Sequence, residues 1–103
     1  MPGPTTPTEA VAWVLDALEN GRYFTTRHFD QRCSERKFTV FDAKRVARTA
    51  MSCEAYADAP VRAGGTAWRI RGTATDGSAA AIGVEAFKDH LGRRVLLITV
   101  MDG

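Results

Sequence analysis

The apolar residues of this chain recur with two different periods, and the change from one to the other falls near Met51. Before it, Val11, Val14, Leu15 and Leu18 stand at i, i+3, i+4 and i+7, the spacing that lays one stripe along a helix. After it, Thr66-Ala67-Trp68-Arg69-Ile70-Arg71 alternates: Trp68 and Ile70 fall on one face of a strand, Arg69 and Arg71 on the other. Helices gathered first and strands after them predict an α+β fold rather than a doubly wound sheet. A chain of 103 residues has room for one domain. It is assigned to 8–103, behind a flexible arm at 1–7 that carries Pro2, Pro4 and Pro7.

Local signals place two or three N-terminal helices. Thr8 is suited to cap the first, and Asn20-Gly21 to stop it. After an extended link through Arg22-Tyr23-Phe24, Thr25 or Thr26 caps a second helix running to about Arg36. Its only apolar residues are Phe29 and Cys33, so a wide face stays polar. Thr39 caps a third helix with Asp42 at N3, and Phe41, Val46, Ala47 and Ala50 are its expected core positions.

The helices are expected to pack on a three- to four-stranded antiparallel meander. Its first main strand is Thr66–Thr75, and Asp76-Gly77 is the strongest hairpin signal in the chain. The return strand runs from Ala79 to about Phe87 with Ile82, Val84 and Ala86 on one face. After a turn at 89–92, the apolar run Arg94–Met101 reads as a central strand covered by the helices. Cys53–Tyr56 is a candidate fourth strand, while Ala59-Pro60 and Gly64-Gly65 mark loops. The alternation implies a sheet face that is free of helices and carries arginines.

Several function classes lose their usual signatures. There is no phosphate-cradling glycine loop, no HExxH, no EF-hand loop and no GxSxG elbow, so neither a cofactor nor a metal is expected. Cys33 and Cys53 form no CxxC and have no histidine at ligand spacing; they read as unpaired thiols of a cytoplasmic protein. No stretch has the roughly 20 apolar residues of a membrane span, and the first residues lack the pattern of a secretory leader.

The net charge of +2 conceals an asymmetry: residues 22–48 carry +5 and the rest −3. A segment this basic points to a polyanion or an acidic protein. Within it, His28, Arg32 and Glu35 share one side of the second helix, with Arg36 near Arg32. An imidazole among guanidiniums suits RNA cleavage without metal, because imidazole titrates near neutral pH and arginine's planar fork matches a phosphate. A base takes the 2′-hydroxyl proton, an acid protonates the leaving 5′-oxygen, and arginines stabilise the phosphorane between them. Arg27, Arg36, Arg45, Arg48 and Arg71 are further candidates for phosphate contacts, whereas Trp13 and Trp68 sit at core spacing.

From Gly21 to Val100 the chain resembles the bacterial family known as domain of unknown function 4258. The resemblance rests on Gly21-Arg22-Tyr23-Phe24, Thr26-Arg27-His28 with Arg32 and Arg36, Phe38-Thr39-Val40-Phe41-Asp42, Trp68-Arg69-Ile70 and Ile98-Thr99-Val100. That family is similar in layout to the metal-independent RNases and toxins around barnase, colicin and the RelE-type toxins. The resemblance implies a toxin-like RNase or RNA-binding domain with a site between the second helix and the sheet face. It nominates His28, Arg32, Arg69 (or Arg71) and Thr99 as catalytic, RNA as partner, and leaves room for a cognate protein inhibitor. The alanine run 79–81 departs from the family pattern and implies a looser sheet. Two other classes compete: a non-catalytic regulatory module binding an acidic protein through the basic helices, and, third, a duplex-DNA binder using the helices around Thr39.

Overall fold

The computed structural model describes residues 3–59 and 61–102. Met1 and Pro2 of the expected arm, Pro60 of the expected loop and the last residue, Gly103, lie outside them. Three helices precede most of the sheet: α1 (Pro7–Glu19), α2 (Arg27–Arg36) and α3 (Val40–Arg48). The strands are β1 (Tyr23–Thr25), β2 (Ser52–Ala55), β3 (Thr66–Thr73), β4 (Ala79–Asp89) and β5 (Gly92–Asp102). They form one five-stranded sheet in the order β1-β5-β4-β3-β2. The α+β class holds, but the sheet is mixed rather than an antiparallel meander. The extended link expected through Arg22-Tyr23-Phe24 holds a strand, Tyr23–Thr25, that pairs parallel with β5 in the register Tyr23↔Val95, Phe24↔Leu96 and Thr25↔Leu97. The long strands β3, β4 and β5 are antiparallel; β4 is the middle strand, and β5 is an interior strand between β1 and β4.

The cap chemistry explains the helix limits. Thr6, not Thr8, caps α1 by accepting from Glu9 N–H, and Pro7 occupies the first turn, where its missing N–H is no loss. Pro4 is buried, and its carbonyl accepts from the Thr66 hydroxyl. Thr26 caps α2 through Phe29 N–H, and a reciprocal box between Thr39 and Asp42 starts α3.

One sheet face carries the core. Trp68 and Ile70 of β3, Ile82 and Val84 of β4, and Val95, Leu97 and Val100 of β5 meet Val14 and Leu18 of α1, Phe29 of α2 and Val46 of α3. Phe41 is not among them: at the start of α3 it is 71 % exposed, and Asp42 beside it is buried instead. The alanine run does not loosen the sheet. Ala80 pairs with Gly72, and a Cβ on Gly72 would lie 2.4 Å from the Val46 carbonyl oxygen. Small residues here let the α3 backbone rest directly on the strands, so packing comes from close approach rather than side-chain bulk.

Asp42 ties that helix to the hairpin. One carboxylate oxygen accepts from Thr39 N–H at 2.9 Å, the other from Thr75 N–H at 2.9 Å and the Thr75 hydroxyl at 2.6 Å. Burial pushes its pKa up, but the hydrogen bonds from Thr75 and Thr39 outweigh this and hold it below the ordinary 3.8. A lowered folded pKa contributes stability that is present above the unfolded value and is lost as pH falls through the folded one. Asp42→Ala removes a cap and a tertiary anchor together and should cost about 2 kcal/mol in urea unfolding at neutral pH. Asp42→Asn should flatten the acid limb of the stability profile below about pH 4; an acid limb identical to the wild type would show that this carboxylate does not govern it.

Candidate functional site

The second sheet face, opposite the helices, is only partly open. A bulge in β5 determines what it displays. Gly83 pairs with Thr99 and Val84 with Leu97, so Ile98 is an extra residue. Leu96, Ile98 and Thr99 consequently all turn to this face, while Leu97 and Val100 stay in the core. Beyond β1, the edge of β5 would present unpaired carbonyls. Helix α2 supplies their donors: the Thr26 hydroxyl donates to Ile98 O at 2.9 Å, and Thr26 N–H to Leu97 O at 3.1 Å. The N-terminus of α2 is thereby fixed beside the bulge, with Arg27 and His28 in its first turn.

The facing wall comes from the stretch before β3. Glu85 on β4 is fully buried on this face, and among the described residues no arginine or lysine pairs with its carboxylate. Its charge is held by backbone N–H groups instead: Arg62 at 2.8 Å and Ala63 at 3.2 Å to one oxygen, Ala63 and Gly65 at 2.9 Å to the other. Leu96 is the β5 partner of Glu85. The carboxylate thus holds residues 62–65 against the sheet next to Leu96 and sets Arg62 opposite α2.

Between these walls lies a cleft of about 300 Å³ lined by Thr26, Arg27, His28, Arg62, Leu96 and Ile98. Its floor is aliphatic and its rim holds two guanidiniums, an imidazole and the positive end of α2, with no carboxylate among the described lining residues. A second cleft of about 350 Å³ lies at the other end of α2. There Arg36 and Lys37 are matched by Asp42, Asp76 and Asp102, so it offers an anion little net attraction.

The residues nominated from sequence are not all gathered at one place. His28 and Arg27 line the cleft. Arg32 turns the other way, its Nε 3.4 Å from Val100 O and a guanidinium nitrogen 3.6 Å from Glu35. Arg36 pairs with Asp102 at 2.6 Å, and Arg48 with Glu19 at 2.7 Å. Arg45 and Arg48 ride on α3, in the helical layer on the opposite side of the sheet. Arg69 pairs with Glu54, its β2 neighbour. Arg71 is exposed on the same face of β3. Thr99 is buried, its hydroxyl 3.4 Å from Val100 O, and the Tyr56 ring sits where a Cβ on the adjacent Gly83 would be. Arg62 has no periodic pattern to announce it, and Leu96 and Ile98 looked like core until the bulge turned Ile98 outward.

Neither cysteine offers a nucleophile. Burial, then nearby carboxylates, push both thiols up to about 11 from 9.0, which leaves about a hundredfold less thiolate than an ordinary cysteine at neutral pH. Both are free and half-buried. Among the described residues no three His, Cys, Asp or Glu side chains gather as a metal site requires, and no helix is long and apolar enough to cross a membrane.

Two measurements check this geometry. A disulfide-exchange reagent at pH 8 should label Cys33 and Cys53 far more slowly in the folded protein than in urea; equal rates would contradict the buried thiols. Glu85→Gln, nearly isosteric, replaces one acceptor oxygen with a donor facing N–H groups and should cost about 1–3 kcal/mol. It should also open the chain near Arg62 to limited proteolysis, and an unchanged digestion pattern would show that the carboxylate does not hold this stretch.

No protein-family model matches the chain, and neither a curated protein nor a solved structure matches it; the resemblance to domain of unknown function 4258 gains no support from them. Its function therefore has to be read from the chemistry of the cleft.

Proposed function

We propose that this chain is an RNA-binding domain of the toxin-like, metal-independent RNase type, and that RNA phosphate binds in the cleft between α2 and Arg62. The observation that carries this is the lining itself: Arg27, His28 and Arg62 around an aliphatic floor, with no carboxylate among them. Arginine forks bind phosphate oxygens in pairs, and the free N–H groups at the start of α2 add donors of the same sign.

His28 is the proton-transfer group in this lining. Held in the first turn of α2 beside Arg27, it can take the 2′-hydroxyl proton while the guanidiniums stabilise charge on the phosphorane. A single imidazole supplies one half of the acid–base pair that cleavage needs, and as the P–O5′ bond breaks the departing 5′-oxygen would take its proton from water. Binding is therefore the part that the cleft's chemistry supports most directly, and cleavage is the part that His28 would add. Arg32, Arg69 and Thr99 have no role in this reading, because their side chains are engaged away from the cleft. The acidic-protein alternative loses ground for a related reason: Arg32, Arg36 and Arg48 of the basic helices already face the chain's own carboxylates.

The test is titration of labelled RNA in chelator with the wild type and with Arg27→Ala, Arg62→Ala and His28→Ala. Each arginine variant should weaken binding about tenfold and lower the salt slope by about 0.7. Arg45→Ala, on the opposite side of the sheet, should do neither. Equal affinities across the set would remove the cleft from consideration. Incubation of the same proteins with RNA then decides the chemistry: cleavage by the wild type that is lost in His28→Ala even at saturating RNA, and kept in Arg45→Ala, makes the domain an RNase. No cleavage by the wild type leaves it a binding domain.

A further inference from the structure

Beside the cleft stands an aromatic ring that the fold holds in place without burying. Phe24 is the β1 partner of Leu96, which forms part of the cleft floor, so the two side chains share a face one strand spacing apart, about 5 Å. Phe24 is 51 % exposed, although large aromatic side chains are normally mostly buried. It is also held by two neighbours. The Phe87 ring stacks on it with centroids 6.4 Å apart and planes 23° apart, and the Arg94 guanidinium lies 5.8 Å from its centroid. Arg94 is in turn fixed by Asp89 at 3.1 Å and is mostly buried.

Resting on the reading of the cleft as an RNA phosphate site, we propose that Phe24 is a base-stacking platform, so that the ligand is single-stranded RNA with one phosphate between Arg27 and Arg62 and an adjoining base on Phe24. Three observations converge on this occupant. The uncompensated positive charge selects a polyanion. The ring one strand away leaves about half of its surface, 51 %, open to an unpaired base at the reach of one nucleotide from the cleft. Phe87 and Arg94 hold the ring before any ligand arrives, so little side-chain freedom is lost on stacking. A base inside a duplex is already stacked on both faces and cannot use such a platform, so discrimination against double-stranded RNA follows from the same ring. The contact reads a π-face and no hydrogen-bonding edge, so it should be tolerant of sequence.

The experiment compares two fluorescently labelled oligomers of equal length and charge, an oligouridine and one whose central nucleotides are abasic, by anisotropy at fixed salt. Wild type should prefer the base-bearing strand by roughly five- to a hundredfold. Phe24→Leu, which keeps an apolar side chain at an exposed position but lacks the π-face, should lose that preference while its affinity for the abasic strand stays unchanged. Phe24→Tyr should retain the preference, which separates stacking from bulk. If wild type binds both strands equally, or if Phe24→Leu keeps the preference, the platform is overturned while the phosphate site stands. If wild type binds neither strand, the phosphate site fails and the platform with it.

Discussion

Thr26 closes the sheet and opens a helix with one hydroxyl. It accepts from Phe29 N–H to begin α2 and donates to Ile98 O at 2.9 Å, while its own N–H reaches Leu97 O. Without it, the carbonyls of β5 past the short β1 would be left as an open edge, which costs hydrogen bonds and invites pairing with other chains. Satisfying them with a helix start rather than a sixth strand has a chemical consequence. It brings the positive end of a helix dipole, and the first-turn side chains Arg27 and His28, to the sheet face opposite the core. The same bulge that exposes Ile98 supplies the floor beneath them.

The opposite wall depends on an arrangement that is costly in isolation. A fully buried carboxylate such as Glu85 would normally need a cation beside it. Here three backbone N–H groups converge on the two oxygens, and hydrogen bonds to a charged acceptor are stronger than neutral ones. Residues 62–65 have little apolar surface to bury, with two glycines and an arginine among them. Their attachment to the sheet therefore comes from polar contacts, which need defined geometry, and defined geometry is what fixes Arg62 across from α2. The neighbouring row across this face is filled differently: Tyr56 packs over Gly83 beside Thr99, and Arg69 pairs with Glu54. One half of the open face is thus closed by packing and ion pairing, and the other half remains a cleft.

Much of the fold was legible because its signals are local. The capping box at Thr39 and Asp42, the Asp76-Gly77 hairpin and the alternation through Trp68 and Ile70 each involve residues within a few positions of one another. What was not legible is what depends on distant partners. Strand β1 has three residues and no periodicity of its own; its partners lie some seventy positions later. Phe41 groups with Val46 and Ala47 by its bulk, but at five and six positions from them it falls on another side of α3, whose sheet-facing stripe is Ala43, Val46 and Ala47. Glu85 reads as an outward polar residue of an alternating strand, and only the fold-back of residues 62–65 buries it. The alanines at 79–81 suggested loose packing because their bulk was weighed without the close approach of α3 over Gly72.

The site suffered most from this locality, since charge in a sequence is counted residue by residue whereas charge in a fold is counted in pairs. The +5 segment seemed to be one basic surface. In the structure its arginines point to both sides of the sheet, and Arg32, Arg36 and Arg48 face Glu35, Asp102 and Glu19. Exposed pairs of this kind add little stability, but they remove those cations from the field that an approaching anion feels. Arg62 lies outside the basic segment altogether, yet it faces Arg27 and His28 across a cleft with no carboxylate among its described lining residues. An anion is drawn to charge that lacks a partner, not to charge that is abundant. On the proposed reading, this cleft rather than the basic helix face as a whole is therefore where a phosphate chain would gain most by binding.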